Sequence, residues 1–158
     1  MKPEQQLDDL ARHIGLVRDA CLRLGKRLMA QGRTELGRHV AARGFVHDAS
    51  KFYGIEWDYL HADAPTEQKR LAIEHHRRTN AHHPEYWGGI DNMPEVALAE
   101  MACDWYARSQ EFGTDLREWV RSDAVPRYGI GHEGRPYRLL MGFIDLLLER
   151  PFTPIPGM

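Results

Sequence analysis

Cysteine is nearly absent from this chain: Cys21 and Cys103 are the only two in 158 residues. Two thiols so far apart in sequence build neither a disulfide scaffold nor a Cys-type zinc site. An excess of either charge is missing too. The 21 basic and 23 acidic side chains leave a formal net charge of −2, so no dedicated nucleic-acid or membrane surface is expected. No apolar run approaches the roughly 20 residues that a membrane span needs. The opening MKPEQQLDDL lacks the apolar stretch of a signal peptide, and a cytoplasmic protein is the expectation. Strand-like alternation, internal repeats and low-complexity tracts are also absent. What remains is an ordinary globular balance, 42% hydrophobic and 28% charged, long enough for one domain with a real core and too short for two.

The apolar periodicity is helical throughout. Leu7, Leu10, Ile14, Val17, Cys21, Leu24 and Leu28 recur every three or four residues and predict an amphipathic helix over 3–31, ended by Gly32. A second helix is expected from Thr34, read as its N-cap, through Val40 towards His47 and Asp48, with Gly44 loosening its last turns. Residues 52–60 are aromatic-rich and 61–65 read as a loop. A third helix fits 66–78, and 80–94 reads as an ordered loop. Asn92 with Glu95 resembles a capping box for a helix reaching about Ser109. Shorter helices fit 115–122, capped by Thr114, and 136–149. The tail PFTPIPGM, too proline-rich for a helix, is expected to lie over the surface. The fold expected is all-α: one domain of about six helices, a motif-bearing core over 13–109, C-terminal helices over 115–150 and an irregular tail over 151–158.

The chemistry-bearing residues are histidines and aspartates. His47-Asp48 sets a neutral imidazole beside a carboxylate, two ligand types that a divalent cation accepts together. His75-His76, His82-His83 and Asp104 accompany it. Two ligands of one ion lie about 2.0–2.2 Å from it and hence at most about 4.4 Å apart. His39 and His47 share a helix face but are separated by about 12 Å of rise, so His39 reads as a surface residue, as do His61 and His132. His13 lies beside the apolar stripe of the first helix, where a hydrogen-bonded core histidine is the ordinary reading. Asp104, on the face of Ala97 and Met101, needs a partner to offset its desolvation, either a metal ion or a buried arginine. Adjacent helical residues point about 100° apart, so one of His75 and His76 faces the site, and His76, one turn after Ala72, is favoured. Either of His82 and His83 can turn inward from the loop.

The order His13, His47-Asp48, His76, His82/His83, Asp104 resembles the HD-domain superfamily of metal-dependent phosphohydrolases. More closely, VHDASKF with HHRRTNAHHPEYW and EMACDWYA resembles a small, poorly characterised HD-like family of bacteria and their phages; the resemblance spans about residues 13–109. It implies an all-α fold with the metal in a cleft between helices. It further implies ligand roles for His13, His47, Asp48 and Asp104, with His76 and His82 or His83 at a second ion, and a substrate-oxyanion contact for Lys51. Single-metal nucleotidases of the superfamily often carry an acidic residue where Lys51 stands, which separates this chain from that branch. The cofactor expected is one or two divalent ions, drawn from Mn, Fe, Mg, Co, Ni and Zn.

Such a site activates a water and polarises a phosphoryl oxygen. Lys51, with Arg77 or Arg78, is a candidate to neutralise charge on that group, and Glu56 a candidate to move a proton; the ordinary reading of Glu56 is a solvated loop carboxylate. Tyr53, Trp57, Tyr86 and Trp87 are candidates for an aromatic wall, though each reads more simply as core. The expected function is hydrolysis of a nucleotide or another small phosphorylated metabolite. The alternatives are an HD-type di-iron oxygenase and a non-catalytic metal-containing binding module. The partners expected are the small phosphorylated substrate and, as a candidate, a second copy of the chain in a homodimer.

Overall fold

The structure, a computed structural model, describes residues 1–149. The expected surface tail over 151–158 and residue 150, the end of the expected C-terminal helices, lie outside that range. Among the described residues every regular element is helical. The order is α1 (Pro3–Ala30), α2 (Thr34–Val46), α3 (Gly54–Tyr59), α4 (Thr66–Thr79), α5 (Glu95–Phe112), α6 (Leu116–Trp119), α7 (Val125–Tyr128) and α8 (Arg135–Leu148). Short 3-10 turns cover Ala49–Phe52, Pro84–Trp87 and Ile90–Asn92.

Helix α1 starts with Pro3 in its first turn, where a missing N–H costs nothing. Its buried stripe is Val17, Cys21, Leu24 and Leu28, as the periodicity predicts. Towards the N-terminus the stripe differs from expectation: Gln6 and His13 are buried, whereas Leu7 is exposed and Leu10 and Ile14 are only half-buried. The Gln6 amide is satisfied by the Trp57 carbonyl at 2.8 Å, and His13 belongs to a polar cluster.

A three-residue connection folds α2 back antiparallel on α1, and glycines let the two backbones touch. A Cβ on Gly25 would lie 2.6 Å from the Gly37 carbonyl oxygen, and one on Gly44 would lie 2.8 Å from the Cys21 Cβ. Gly44 therefore does not loosen α2, which runs unbroken to Val46. It is there because no side chain fits between the rods. Helix α5 packs across both, with Leu98, Met101 and Ala102 in the same core as Leu24, Leu28 and Val40; α8 closes that core with Phe143, Ile144 and Leu147. One apolar core joins α1, α2, α5 and α8 with the α6–α7 segment in a single domain, while α4 buries only Ala72 and His76, outside that core.

Helix ends depart from expectation in three places. Thr34 is the first residue of α2 and gives no cap. The Asn92–Glu95 capping box does not form: Pro94 precedes α5, and the Asn92 amide donates to the Trp87 carbonyl. Asp115, not Thr114, caps α6, accepting from the Glu118 N–H at 2.9 Å. The helical path then runs past residue 122 through a π turn at Val120–Ala124 to Tyr128. Pro126 supplies a reason, since it has no N–H to give to the ladder and its ring widens the preceding turn. Helices α5 and α7 stop at Gly113 and Gly129, both left-handed at φ 65° and 63°, a conformation that glycine alone adopts without strain.

Candidate metal centre

Helix α2 ends one residue before the His-Asp pair. His47 leaves the helix at φ −56°, ψ 131°, and Asp48 turns left-handed at φ 57°, ψ 21°, the only non-glycine with positive φ among the described residues. Such a conformation costs a residue with a Cβ about 1–2 kcal/mol and is typical of sites where geometry matters more than local stability. The turn brings the two adjacent side chains to one place. Helix α1 adds His13, α4 adds His76, the loop before Pro84 adds His82 and His83, and α5 adds Asp104.

Asp48, 1% exposed, stands at the centre with its two oxygens facing different histidines. Its Oδ2 lies 3.6 Å from His13 Nε2 and 3.5 Å from His47 Nε2. Asp104 Oδ1 approaches the same two nitrogens at 3.0 and 3.7 Å. Asp48 Oδ1 lies 3.3 Å from both His76 Nε2 and His82 Nε2, and Asp104 Oδ2 is 3.7 Å from His82 Nε2. His13, His47 and Asp104 present ligand atoms within 4.8 Å of one another, and so do His76, His82 and His83.

These atoms crowd together without bonding. His13 Nε2, His47 Nε2, Asp48 Oδ1, His82 Nε2, His83 Nε2 and Asp104 Oδ1 are all buried and make no hydrogen bond. Buried polar atoms nearly always find partners, and leaving one unpaired costs on the order of 1–3 kcal/mol. Six orphaned donor atoms converging from four parts of the chain fit a cation, with the N/O ligand set that borderline divalent ions accept.

Carboxylates hold the rings from behind. Glu100, fully buried, meets His47 Nδ1 at 3.0 Å and His82 Nδ1 at 3.3 Å, and its other oxygen accepts from Arg43 Nε at 2.7 Å. Glu100 also groups with His47 and His82 as a third candidate triad, but it faces the Nδ1 side of both rings. It lies behind the cluster. Glu111 meets His13 Nδ1 at 3.3 Å and is held by Arg108 at 2.9 Å. Glu56 meets His76 Nδ1 at 2.5 Å and His75 Nδ1 at 2.8 Å, and accepts from Ser50 Oγ at 2.8 Å. A carboxylate behind an imidazole fixes the tautomer and ring angle of a metal-ligating histidine.

Electrostatics follows from this crowding. Burial opposes charge on His47, but Asp48 and Asp104 outweigh it and raise its pKa to about 10. Burial likewise opposes charge on Asp48, yet His47 and Lys51 hold it well below the usual carboxylate range. Against the same penalty, His13 and His47 hold Asp104 down. His83 moves the other way: burial, with His82 and His76 beside it, lowers it to about 3.

Each expected residue can now be placed. His13, His47, Asp48, His76, His82, His83 and Asp104 come together, so both members of the His82-His83 pair turn inward. His75 remains outside, its side chain 47% exposed. His39 and His132 are at the surface, as read, while His61 is half-buried with Nε2 3.0 Å from the Asp58 carbonyl oxygen. The Lys51 Nζ lies 2.7 Å from Asp48 Oδ2. Glu56 is not a solvated loop carboxylate: it is 1% exposed on α3, with both oxygens engaged behind His75 and His76. Tyr53 and Tyr86 are exposed and Trp57 and Trp87 half-buried, and none lines the two cavities beside the cluster. Arg78 pairs with Glu74 in solvent, whereas Arg77 lines both cavities.

Sequence reasoning missed Glu100, Glu111 and Arg43. The signal was there: Glu100 interrupts the apolar run ALAEMAC one helical turn before Asp104, and Arg43 stands one turn before His47. A carboxylate in the middle of an apolar helix face requires a buried partner.

The cluster opens to solvent through a cavity of about 400 Å³ whose wall includes Lys51, Arg77 and Arg108. A second cavity, of about 380 Å³, shares Arg77, His83, Asp104 and Arg108 with the first and extends between α5 and the α6–α7 segment.

Comparison with known proteins gives one match. Residues 2–130 match the family of unknown function DUF5662, and the chain belongs to that family. No curated protein and no solved structure matches.

Proposed function

We propose that this member of DUF5662 is an HD-type, metal-dependent phosphohydrolase that cleaves a small phosphate ester. The observation that carries the reading is Asp48: one buried carboxylate presents an oxygen to each of two histidine groups, and a lysine ammonium lies 2.7 Å from it. In this reading His13, His47 and Asp104 would hold one divalent ion and His76, His82 and His83 a second, with Asp48 offering a carboxylate oxygen to each set. A divalent cation bound there supplies Lewis acidity to a phosphoryl oxygen and lowers the pKa of a water towards neutrality.

The chain's own residues do the rest. Lys51, Arg77 and Arg108 line the mouth and neutralise the non-bridging oxygens of the phosphoryl group as charge builds on them. Glu56, Glu100 and Glu111 keep His76, His47, His82 and His13 turned towards the ions. Glu56 is thereby a positioning residue and not the group that moves the proton. Water adds to phosphorus as the ester P–O bond breaks, and the alcohol oxygen leaves with a proton. Asp48 needs Lys51 in this scheme: the ammonium offsets a carboxylate in a partly desolvated cleft and stays within reach of an anion bound beside it.

The test is metal analysis of protein purified without chelator or added metal, followed by phosphate release from a panel of phosphomonoesters. Two ions per chain in the parent, one in His83→Ala and none in Asp48→Asn are expected. Full metal occupancy with no phosphate released from any ester would overturn the hydrolase reading. Three imidazoles at the second position favour one further reading, a di-iron oxygenase. Iron as the resident metal, with oxygen consumed on substrate addition, would select it.

A further inference from the structure

The second cavity has a composition that metal chemistry does not require. Its inner wall is made by Trp105 from α5, Leu116 and Trp119 from α6 and Tyr128 from α7, with Phe112 at the rim. Trp105 and Trp119 meet edge-to-face at 5.3 Å between centroids, and the Tyr128 ring lies within 16° of parallel to Trp105. Burial raises the Tyr128 pKa, so its phenol stays neutral. The π turn is what brings both α6 and α7 rings to this wall. Residues nine apart in an unbroken α-helix point about 180° apart, whereas taking up one extra residue leaves Trp119 and Tyr128 about 80° apart.

Few polar side chains balance these rings. Arg127 lines the cavity too, but its guanidinium lies 5.1 Å from the centre of the Tyr128 ring, in a cation–π contact. The Ser109 hydroxyl donates 2.6 Å to the Tyr106 carbonyl and is already engaged, and Thr114 sits exposed at the edge. A polyhydroxylated sugar held there would leave hydroxyls unpaired, which is costly in an enclosed site. The charged end is distinct: Arg77 and Arg108 lie where this cavity meets the metal-cluster cavity. At about 380 Å³ the space falls at the small end of the range of roughly 300–1,000 Å³ that encloses one compact organic ligand.

We infer that the cavity between α5 and the α6–α7 segment seats the organic half of the substrate, and that the substrate is a phosphate monoester whose alcohol part carries one planar aromatic ring. The ring stacks among Trp105, Trp119 and Tyr128, and the phosphate lies at Arg77 and Arg108 against the metal cluster. The phosphate end of this assignment rests on the hydrolase reading; the aromatic end rests on the cavity alone. Trp119 and Phe112 are specificity-determining residues in consequence, and sugar phosphates are poor ligands.

Metal-loaded protein titrated with phenyl phosphate, glucose 6-phosphate and inorganic phosphate tests this, with indole fluorescence and calorimetry as readouts. Phenyl phosphate is expected to bind at least about tenfold more tightly than either comparator, the scale of enclosing one aromatic ring, and to change the tryptophan emission. In Trp119→Ala and in Phe112→Ala, each checked for unchanged metal content and helicity, the ratio of the phenyl phosphate to the inorganic phosphate constant should fall towards one. Phe112 is 71% exposed, so that variant reports even if Trp119→Ala fails to fold. Equal affinity for all three ligands, or a preference that survives both substitutions, overturns the subsite and leaves the hydrolase reading standing. A phenyl phosphate preference that is lost in both variants supports the subsite; if neither phenyl phosphate nor any other ester of the panel is hydrolysed, the subsite stands and the hydrolase reading is overturned.

Discussion

At the scale of single residues, the site separates groups that would touch an ion or substrate from groups that hold them. Lys51 belongs to the first kind in our reading. Lys51→Ala should keep the parental metal content while turnover falls by on the order of 10²-fold, the loss seen when one oxyanion-stabilising donor is removed. Undiminished phosphate release from the variant would end that assignment. Glu100 belongs to the second kind, since it contacts the Nδ1 atoms of His47 and His82 and not the cluster itself. Glu100→Gln keeps the shape but removes the charge shared by two imidazoles and Arg43. Metal affinity should weaken roughly 10–100-fold, as is usual when a carboxylate behind a histidine ligand is lost. Competition with a metal-binding dye measures this, and a dissociation constant within twofold of the parent would show that the two rings need no such support. Glu56, Glu100 and Glu111 were harder to read from sequence than the ligands. A carboxylate's role depends on which ring nitrogen it faces, and spacing along a helix does not report that.

At the scale of elements, the contact between α1 and α2 carries the clearest expectation. Their backbones meet at Gly25 and Gly37, where an added Cβ would lie 2.6 and 2.5 Å from a facing carbonyl oxygen. Main-chain atoms cannot step aside as a flexible side chain can. Gly37→Ala should therefore destabilise by about 1–3 kcal/mol, the usual cost of overpacking, lowering the melting temperature by about 2–4 °C per kcal/mol. A thermal melt of metal-loaded protein within 1 °C of the parent would contradict the close approach. Because α2 carries His47 at its end, a displaced α2 should also lower metal content, coupling helix packing to the site. The long helices were legible in sequence because their apolar stripes are long and regular. Their ends were not. Thr34, Asn92 and Thr114 all look like caps, yet which residue turns out of a helix depends on what the next segment packs against.

At the scale of the whole molecule, protons would compete with the proposed metal for one set of atoms. His47, raised to about 10 against the opposing effect of burial, carries a proton at neutral pH in the metal-free protein. A ligand must be deprotonated, so loading the ion releases that proton. The sign follows: acid favours the proton and base the metal, and metal affinity should rise as pH increases through the neutral range. Calorimetry of metal binding in two buffers of different ionisation enthalpy measures the release, and an identical observed heat in both would refute it.

The sequence by itself determined the helical class, the single core and the identity of most of the cluster. Those depend on local periodicity and on residue chemistry, both of which can be read along a chain. His47, Asp48, His76 and Asp104 could be picked out from a His-Asp pair, a histidine doublet and a carboxylate on an apolar helix face, whereas His13, by itself an ordinary core histidine, joined them only through the resemblance to the HD superfamily. Tertiary structure alone decided that both His82 and His83 turn inward, that Glu56 lies behind His76, and that Lys51 pairs with Asp48. It also moved the aromatic wall from Tyr53, Trp57, Tyr86 and Trp87 to Trp105, Trp119 and Tyr128. Three of these depend on the direction of a side chain across a gap between elements distant in sequence, which a loop held before Pro84 and a π turn ahead of α7 help to set. The Lys51–Asp48 pair is local, three residues apart, and depends on the left-handed turn at Asp48.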